Sequence, residues 1–282
     1  MTIDTVICDF DGTLTDSEAS LGGFFPEYER LFIEALGIDP SSYARALGIV
    51  QTELRADPNK GWELAGHIVA PINSDPFAFN TASHTDLLKR LREGRFEGML
   101  SPSYVPNEKQ AGELTNKCHL AAYGEKNIVF RDGAKRFVEG LLQVGYNVTI
   151  VSNSGTAAIE KALEDNGFSN IPVIGMARKY LIDPSFTNVP VGVNIPGLVR
   201  QALLRRKLYN AVLERICPDP SKGVMVGDNF ELDLVLPLHK GFAGVLTNTP
   251  AAVGYEIDYM NAHPKGMYAE TFEQALSFIR ER

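Results

Sequence analysis

The chain has 282 residues, 44% hydrophobic and 22% charged, with a formal net charge of −8. That length exceeds the usual single domain, so one large or two medium domains around a sizeable core are expected. The acidic balance argues against nucleic acid as the main partner, because phosphate-backbone binding needs clustered Lys and Arg, and the densest basic run is Arg205-Arg206-Lys207. No apolar segment reaches the ~18 residues needed to span a bilayer, so no membrane partner is expected. The first strand starts within a few residues of Met1, with no signal-peptide pattern before it. Cys8, Cys118 and Cys217 form neither a zinc spacing nor a disulfide framework, which reads as a reducing, cytoplasmic setting.

In chain order, Val6, Ile7 and Cys8 come first and read as a strand buried on both faces, as in parallel α/β sheets. The strand ends in Asp9-Phe10-Asp11-Gly12-Thr13. Residues two apart in a strand or tight turn point the same way, so Asp9 and Asp11 can share a pocket. Two such carboxylates repel unless a proton or cation lies between them. The bland reading is an Asp-Gly turn leaving the core.

A helical pattern opens at Pro26, carries Tyr28, Leu31, Phe32, Ala35 and Leu36 on one face, and closes at Gly37. Asp39-Pro40 caps a second one through Tyr43, Ala46 and Leu47. Further helices are predicted near 50–57, 61–70, 84–93 and 107–123, and no strand run is read between about 17 and 125. Residues 17–126 therefore read as a mainly α-helical domain inserted into an α/β domain made of 1–16 and 127–282. Trp62, Phe77, Phe79 and Tyr104 read as its core, with a substrate-facing role as the second possibility.

The α/β rhythm resumes with a helix from Asp132 to Gly145 and a strand over 146–151 that ends in Ser152-Asn153-Ser154-Gly155. A helix over 156–166, a short strand over 171–176, a long helix over 197–216 and a strand over 222–226 follow. That last strand ends in Gly227-Asp228-Asn229, with Asp233 shortly after. A strand over 243–246 and a helix over 271–281 complete the pattern. Strands alternating with helices imply a doubly wound parallel sheet.

Three of these strand ends carry matching chemistry, and in a parallel sheet they lie along one edge. A hard cation such as Mg²⁺ takes one or two protein carboxylates and keeps waters and substrate phosphate; Asp9 and Asp228 can supply them. Ser152 and the N–H groups of 153–155, at a helix start, suit a phosphate. One carboxylate can then attack phosphorus while a second moves the proton.

These motifs, Asp9-Phe10-Asp11-Gly12-Thr13-Leu14-Thr15-Asp16, Val151-Ser152-Asn153-Ser154 and Val226-Gly227-Asp228-Asn229 with Asp233, resemble those of the haloacid dehalogenase-like (HAD) hydrolase superfamily. The resemblance implies a Rossmann-like core with a helical cap of the first type, longer here than is usual. It implies that Asp9 is the nucleophile and Asp11 the acid and base. The Asp9 and Asp228 side chains and the Asp11 backbone carbonyl would hold Mg²⁺, and Ser152 with the backbone around Gly12, Thr13 and Asn153 would bind the phosphoryl group. Asp233 would orient a lysine or a metal-bound water. The Lys-Pro pair common before the last motif is absent, which leaves Lys179, with Lys207 as the second candidate.

The expected activity is Mg²⁺-dependent hydrolysis of a small phosphorylated metabolite by a monomer or homodimer. Carbon–halogen cleavage does not need an acid two residues after the nucleophile, so Asp11 favours phosphoryl transfer. Phosphonate cleavage needs a cap lysine in an apolar setting, and Lys60, Lys89, Lys109 and Lys117 have none evident. A phosphomutase would share all of these motifs and differ in the cap, and a non-catalytic binding protein could keep the same fold.

Overall fold

The computed structural model describes residues 2–20, 22–57, 59–72, 74–122, 128–248, 252 and 254–282. In chain order its first half holds β1 (Thr5–Cys8), α1 (Ser17–Ser20), α2 (Phe24–Leu36), α3 (Pro40–Arg55), β2 (Gly61–Leu64), β3 (His67–Pro71), α4 (Pro76–Arg92) and α5 (Glu108–Ala122). Next come α6 (Ala134–Val144), β4 (Asn147–Val151), α7 (Thr156–Glu164), β5 (Val173–Ile174), β6 (Gly192–Asn194), β7 (Gln201–Leu203) and α8 (Lys207–Ile216). The last part holds β8 (Gly223–Gly227), α9 (Val235–Lys240), β9 (Ala243–Thr247), α10 (Gly254–Ala262), β10 (Gly266–Ala269) and α11 (Phe272–Arg280). Contacts group the chain into two compact units, 1–17 with 63–71 and 128–282, and 18–62 with 72–127. The boundary expected at 126–127 lies outside the described residues, as does position 123, the end of the helix expected over 107–123.

The first unit is built on a six-stranded sheet in the order β10-β9-β8-β1-β4-β5, with every register parallel. Strand β1 lies between β4 and β8, aligned Val6 to Val148 and Val6 to Val224. Side chains alternate across it, as strand geometry requires. Val6 and Cys8 pack with Phe137 of α6, Ile159 of α7 and Ala275 of α11. Ile7 packs on the other face with Tyr209 of α8, Leu236 of α9 and Met260 of α10. Both faces are covered, which is why the strand reads as an unbroken apolar run.

Two sequence expectations give way here. Residues 61–70 were expected to be helical, within a stretch free of strands; they form the hairpin β2–β3 instead. Its turn has φ +50° at Ala65 and +78° at Gly66, the paired positive φ of a two-residue hairpin turn. The long helix over 197–216 is also shorter than expected. Gly197 sits at φ +94°, β6 and β7 pair with Gly192 opposite Leu203, and α8 starts only at Lys207. Tertiary pairing outweighs a helical period over those few residues.

The second unit is helical, with α2 against α5 and α4 against α3 and α5. Its core gathers Tyr28, Phe32, Tyr43, Leu47, Phe79 and Leu114. The Asp39 carboxylate accepts from the Ser42 N–H at 2.8 Å and caps α3, with Pro40 in its first turn, and Gly37 closes α2 at φ +62°. Phe79 is core and Phe77 is packed against it, while Tyr104 is exposed. Trp62 falls on β2, and is neither buried nor fully exposed. Among the described residues no helix is long and apolar enough to cross a membrane.

Candidate active site

The carboxyl ends of β1, β4 and β8 meet where the sheet order reverses, the place such sheets bind ligands. Beyond β1 the Asp9 N–H still donates to Val226 O at 2.9 Å, so the strand delivers Asp9 in register with β8. The chain then turns sharply, with the N–H groups of Leu14 and Thr15 both donating to Phe10 O at 3.0 and 3.1 Å. Gly12 makes that turn at φ +82°, and a Cβ there would lie 2.2 Å from Asp228 Oδ2. Only glycine lets the two loops approach this closely.

Beyond β8, Asn229 caps a π-helical turn over Phe230–Leu234, accepting from Leu232 N–H at 3.0 Å. That turn brings Asp233 back, and its Oδ2 accepts from Asn229 N–H at 3.1 Å. A Cβ on Gly227 would sit 2.5 Å from Asp233 Cβ, so the return is tight. Single-turn π bulges of this kind are frequent at functional sites.

Lys179 is fully buried. Its Nζ donates to Asp9 Oδ1 at 2.6 Å and to Asp233 Oδ1 at 2.7 Å. The loop carrying it holds Met176 and Arg178 in the left-handed region, at φ +52° and +50°, a costly choice for residues with a Cβ. Lys207 stands elsewhere, 62% exposed and 3.9 Å from Asp183; the structure brings Lys179 and not Lys207 to the carboxylates.

The two acids of the first loop are held differently. Asp9 has Lys179 on Oδ1 and Thr13 Oγ1 on Oδ2 at 3.1 Å. Thr13 Oγ1 also lies 3.0 Å from Asp228 Oδ1. Asp11 is exposed and accepts instead from Ser152 Oγ at 2.8 Å. Ser152 Oγ in turn accepts from Ser154 N–H at 3.0 Å. The Asn153 side chain turns to the lysine loop and accepts from Lys179 N–H at 2.8 Å.

Burial pushes the Asp9 carboxyl up to about 7; Lys179 pulls it down, while Asp233 and Asp11 push it up. Burial, then Asp9 and Asp233, hold Asp228 well above the usual carboxylate range. Burial alone would pull Lys179 down, but Asp233 and Asp9 outweigh it and keep the ammonium charged.

Carboxylate oxygens of Asp9, Asp228 and Asp233 lie within 4.8 Å of one another. Among the described residues one ammonium, Lys179, pairs with two of these three carboxylates, Asp9 and Asp233, which leaves a formal excess of two negative charges. A divalent cation balances that excess, and hard oxygen donors are what Mg²⁺ takes. The donor set thus fits a magnesium ion, with Asp233 as the third carboxylate of the cluster.

A family model described as haloacid dehalogenase-like hydrolase matches residues 3–235. The chain belongs to that hydrolase family. No curated protein sequence matches this hydrolase. Its fold is similar to that of a predicted phosphoglycolate phosphatase from Haemophilus somnus, at TM-score 0.53 and 15% identity over 98% of both chains. It is also similar to the HAD hydrolase YfnB from Bacillus subtilis bound to magnesium, at TM-score 0.50 and 15% identity over 99% of both chains. A 2-haloacid dehalogenase from Pseudomonas syringae lies at TM-score 0.48, with 15% identity over 99% of both chains.

Arg131 is a supporting residue of the hydrolase site that sequence reasoning missed. Arg131 Nη1 donates to Gly12 O at 3.0 Å, Thr13 O at 3.2 Å and Thr247 Oγ1 at 3.2 Å, and its Nη2 donates to Asn248 O. It fastens the Asp9 loop to the end of β9. Its only sequence signal was an arginine just before the Asp132-Gly133 turn.

Proposed function

We propose that this hydrolase cleaves the phosphomonoester of a small metabolite with Mg²⁺, through an aspartyl-phosphate on Asp9. The observation that carries the reading is the division between the two acids. Asp9 is buried and clamped by Lys179 and Thr13, whereas Asp11 is exposed and held by the Ser152 hydroxyl. A fixed, charge-paired carboxylate suits attack, and an accessible one suits proton transfer.

In the first step an Asp9 oxygen attacks phosphorus and the ester P–O bond breaks. Protonated Asp11 gives its proton to the departing alkoxide. In the second step Asp11 takes a proton from water, the water oxygen bonds to phosphorus, and the bond to Asp9 breaks to release phosphate. Lys179 offsets the charge that gathers between Asp9 and the phosphoryl oxygens. Ser152 keeps Asp11 turned toward the leaving group. Mg²⁺ held by the Asp9 and Asp228 carboxylates and the Asp11 carbonyl would supply Lewis-acid neutralisation of the phosphate.

The three cysteines are free and buried, which supports a reducing, cytoplasmic setting. The test is turnover of p-nitrophenyl phosphate and of a panel of phosphorylated sugars, nucleotides and small acids. 2-Phosphoglycolate belongs in the panel, because a protein of similar fold is described as its predicted phosphatase. Turnover that EDTA abolishes and Mg²⁺ restores is expected; no turnover of any phosphomonoester overturns the reading.

A further inference from the structure

We propose that Arg206 is a positioning residue for Lys179, and that it ties the lysine to strand β3 through one guanidinium. The role given to Lys179 rests on the phosphatase reading; the geometry does not. Arg206 is the bulkiest of the fully buried side chains. A buried cation is tolerated only when its N–H groups are bonded. Those of Arg206 reach backbone carbonyls from three separate stretches. Its Nη1 donates to Lys179 O, Nη2 to Val69 O of β3 at 2.8 Å, and Nε to Leu203 O of β7 at 3.2 Å. The guanidinium fork is planar and rigid, so fixing any two of these carbonyls constrains the third.

Arg206 itself is anchored. It precedes α8 as the N-cap residue, and its carbonyl accepts from Asn210 N–H at 2.8 Å. One turn on, Tyr209 places its ring 5.8 Å from Lys179 Nζ and donates from its hydroxyl to Asp233 O at 2.8 Å. The start of α8 therefore reaches Lys179 at both ends, its carbonyl directly through Arg206 and its ammonium through Tyr209, which bonds the backbone of the ammonium's partner Asp233. Asn153 takes the Lys179 N–H at 2.8 Å. A loop with two residues in left-handed conformations persists only if its surroundings over-determine it, and Arg206 and Asn153 are the two clamps on the lysine's own backbone.

Val69 gives the arrangement a further consequence. It lies in 63–71, which packs with the sheet unit although the chain on both sides of it belongs to the helical unit. A displacement of β3 pulls on the same guanidinium that fixes Lys179. The seat of the lysine and the seat of β3 are thus coupled through one side chain.

The test uses the full chain with Mg²⁺ and p-nitrophenyl phosphate, alongside acetylation of Lys179 read by mass spectrometry. Arg206→Met is expected to lower kcat by about 10- to 100-fold, the usual scale for lost orienting partners, with KM changed little. Arg206→Lys restores part of that loss. In a Lys179→Met background the same change costs nothing further, because Arg206 acts through the lysine. A full additional loss there overturns the proposal. If the wild type shows no turnover, the phosphatase reading falls and acetylation alone decides. Faster modification of Lys179 in Arg206→Met than in wild type is expected, and equal protection in both overturns the proposal. Should the Met variant not fold, Arg206→Lys takes its place, with changes in the same directions but smaller. Lys207→Ala, one residue away and exposed, is the control and leaves kcat unchanged.

Discussion

In the helical unit, His84 is buried among Tyr28 and Phe32, with ring centroids 4.6 Å away in each case; in the sheet unit, Asp9 is buried against Lys179. Both places pay the desolvation cost of a polar group, but they meet it in opposite ways. His84 is neutral, its Nδ1 donating to Asn80 O at 2.7 Å and its Nε2 accepting from Tyr43 OH at 2.5 Å. Asp9, Asp228 and Asp233 instead crowd around the Lys179 ammonium, more carboxylates than it can pair, and burial with their mutual repulsion pushes Asp9 and Asp228 up. A purely structural core would follow the first course, since unbalanced buried charge destabilises the fold. On the proposed reading, the excess at the strand ends is the place of a cation and a phosphoryl group.

Four changes would break or sharpen that contrast. On the proposed mechanism Asp9→Asn removes the attacking oxygen, and kcat is expected to fall by roughly 10⁴–10⁶-fold, the scale of losing a nucleophile. Steady-state turnover checks this, and a loss below tenfold would place the nucleophile elsewhere. Lys179→Met leaves the carboxylates unpaired and should cost about 10²–10³-fold in kcat, as for a lost electrostatic donor. An unchanged KM would put its effect in the transition state.

The third change is one of pH. Burial lowers His84 from the usual 6.5 to about 4, so between those values the unfolded chain binds the proton and the folded chain does not. The site's contribution is complete above about 6.5 and is lost as pH falls toward 4, at most about 3 kcal/mol. Urea unfolding at pH 7 and pH 4.5 should show a steeper loss in wild type than in His84→Gln; equal slopes would mean His84 titrates normally. The smallest effect is that of Lys207→Ala. It should change activity and stability by less than about 0.5 kcal/mol, as for ordinary surface substitutions, and a large loss of kcat would return Lys207 to the site.

The strand that carries Asp9 was legible because Val6, Ile7 and Cys8 are buried on both faces, and the ends of β4 and β8 because polar residues interrupt apolar runs. The caps at Gly37 and Asp39 were legible because their chemistry is local. The hairpin over 61–71 was not, since its turn uses Ala65 at φ +50° where Asn would have signalled it. β10 was missed as well, because Gly266-Met267-Tyr268-Ala269 offers no apolar run and is defined by pairing with β9. The lysine could be narrowed to two candidates but not chosen. Its place is set by a loop with left-handed Met176 and Arg178 and by Arg206, 27 residues further on. No pattern in a linear sequence encodes such a contact.

The most direct measurement is to stop a single turnover in acid, reduce the protein with borohydride and sequence the peptide around position 9 by mass spectrometry. An aspartyl-phosphate is reduced to homoserine, so homoserine at position 9 is expected when substrate and Mg²⁺ are both present, and none when either is withheld. Phosphate release across a series of quench times, with no homoserine at position 9 at any of them, would contradict the account.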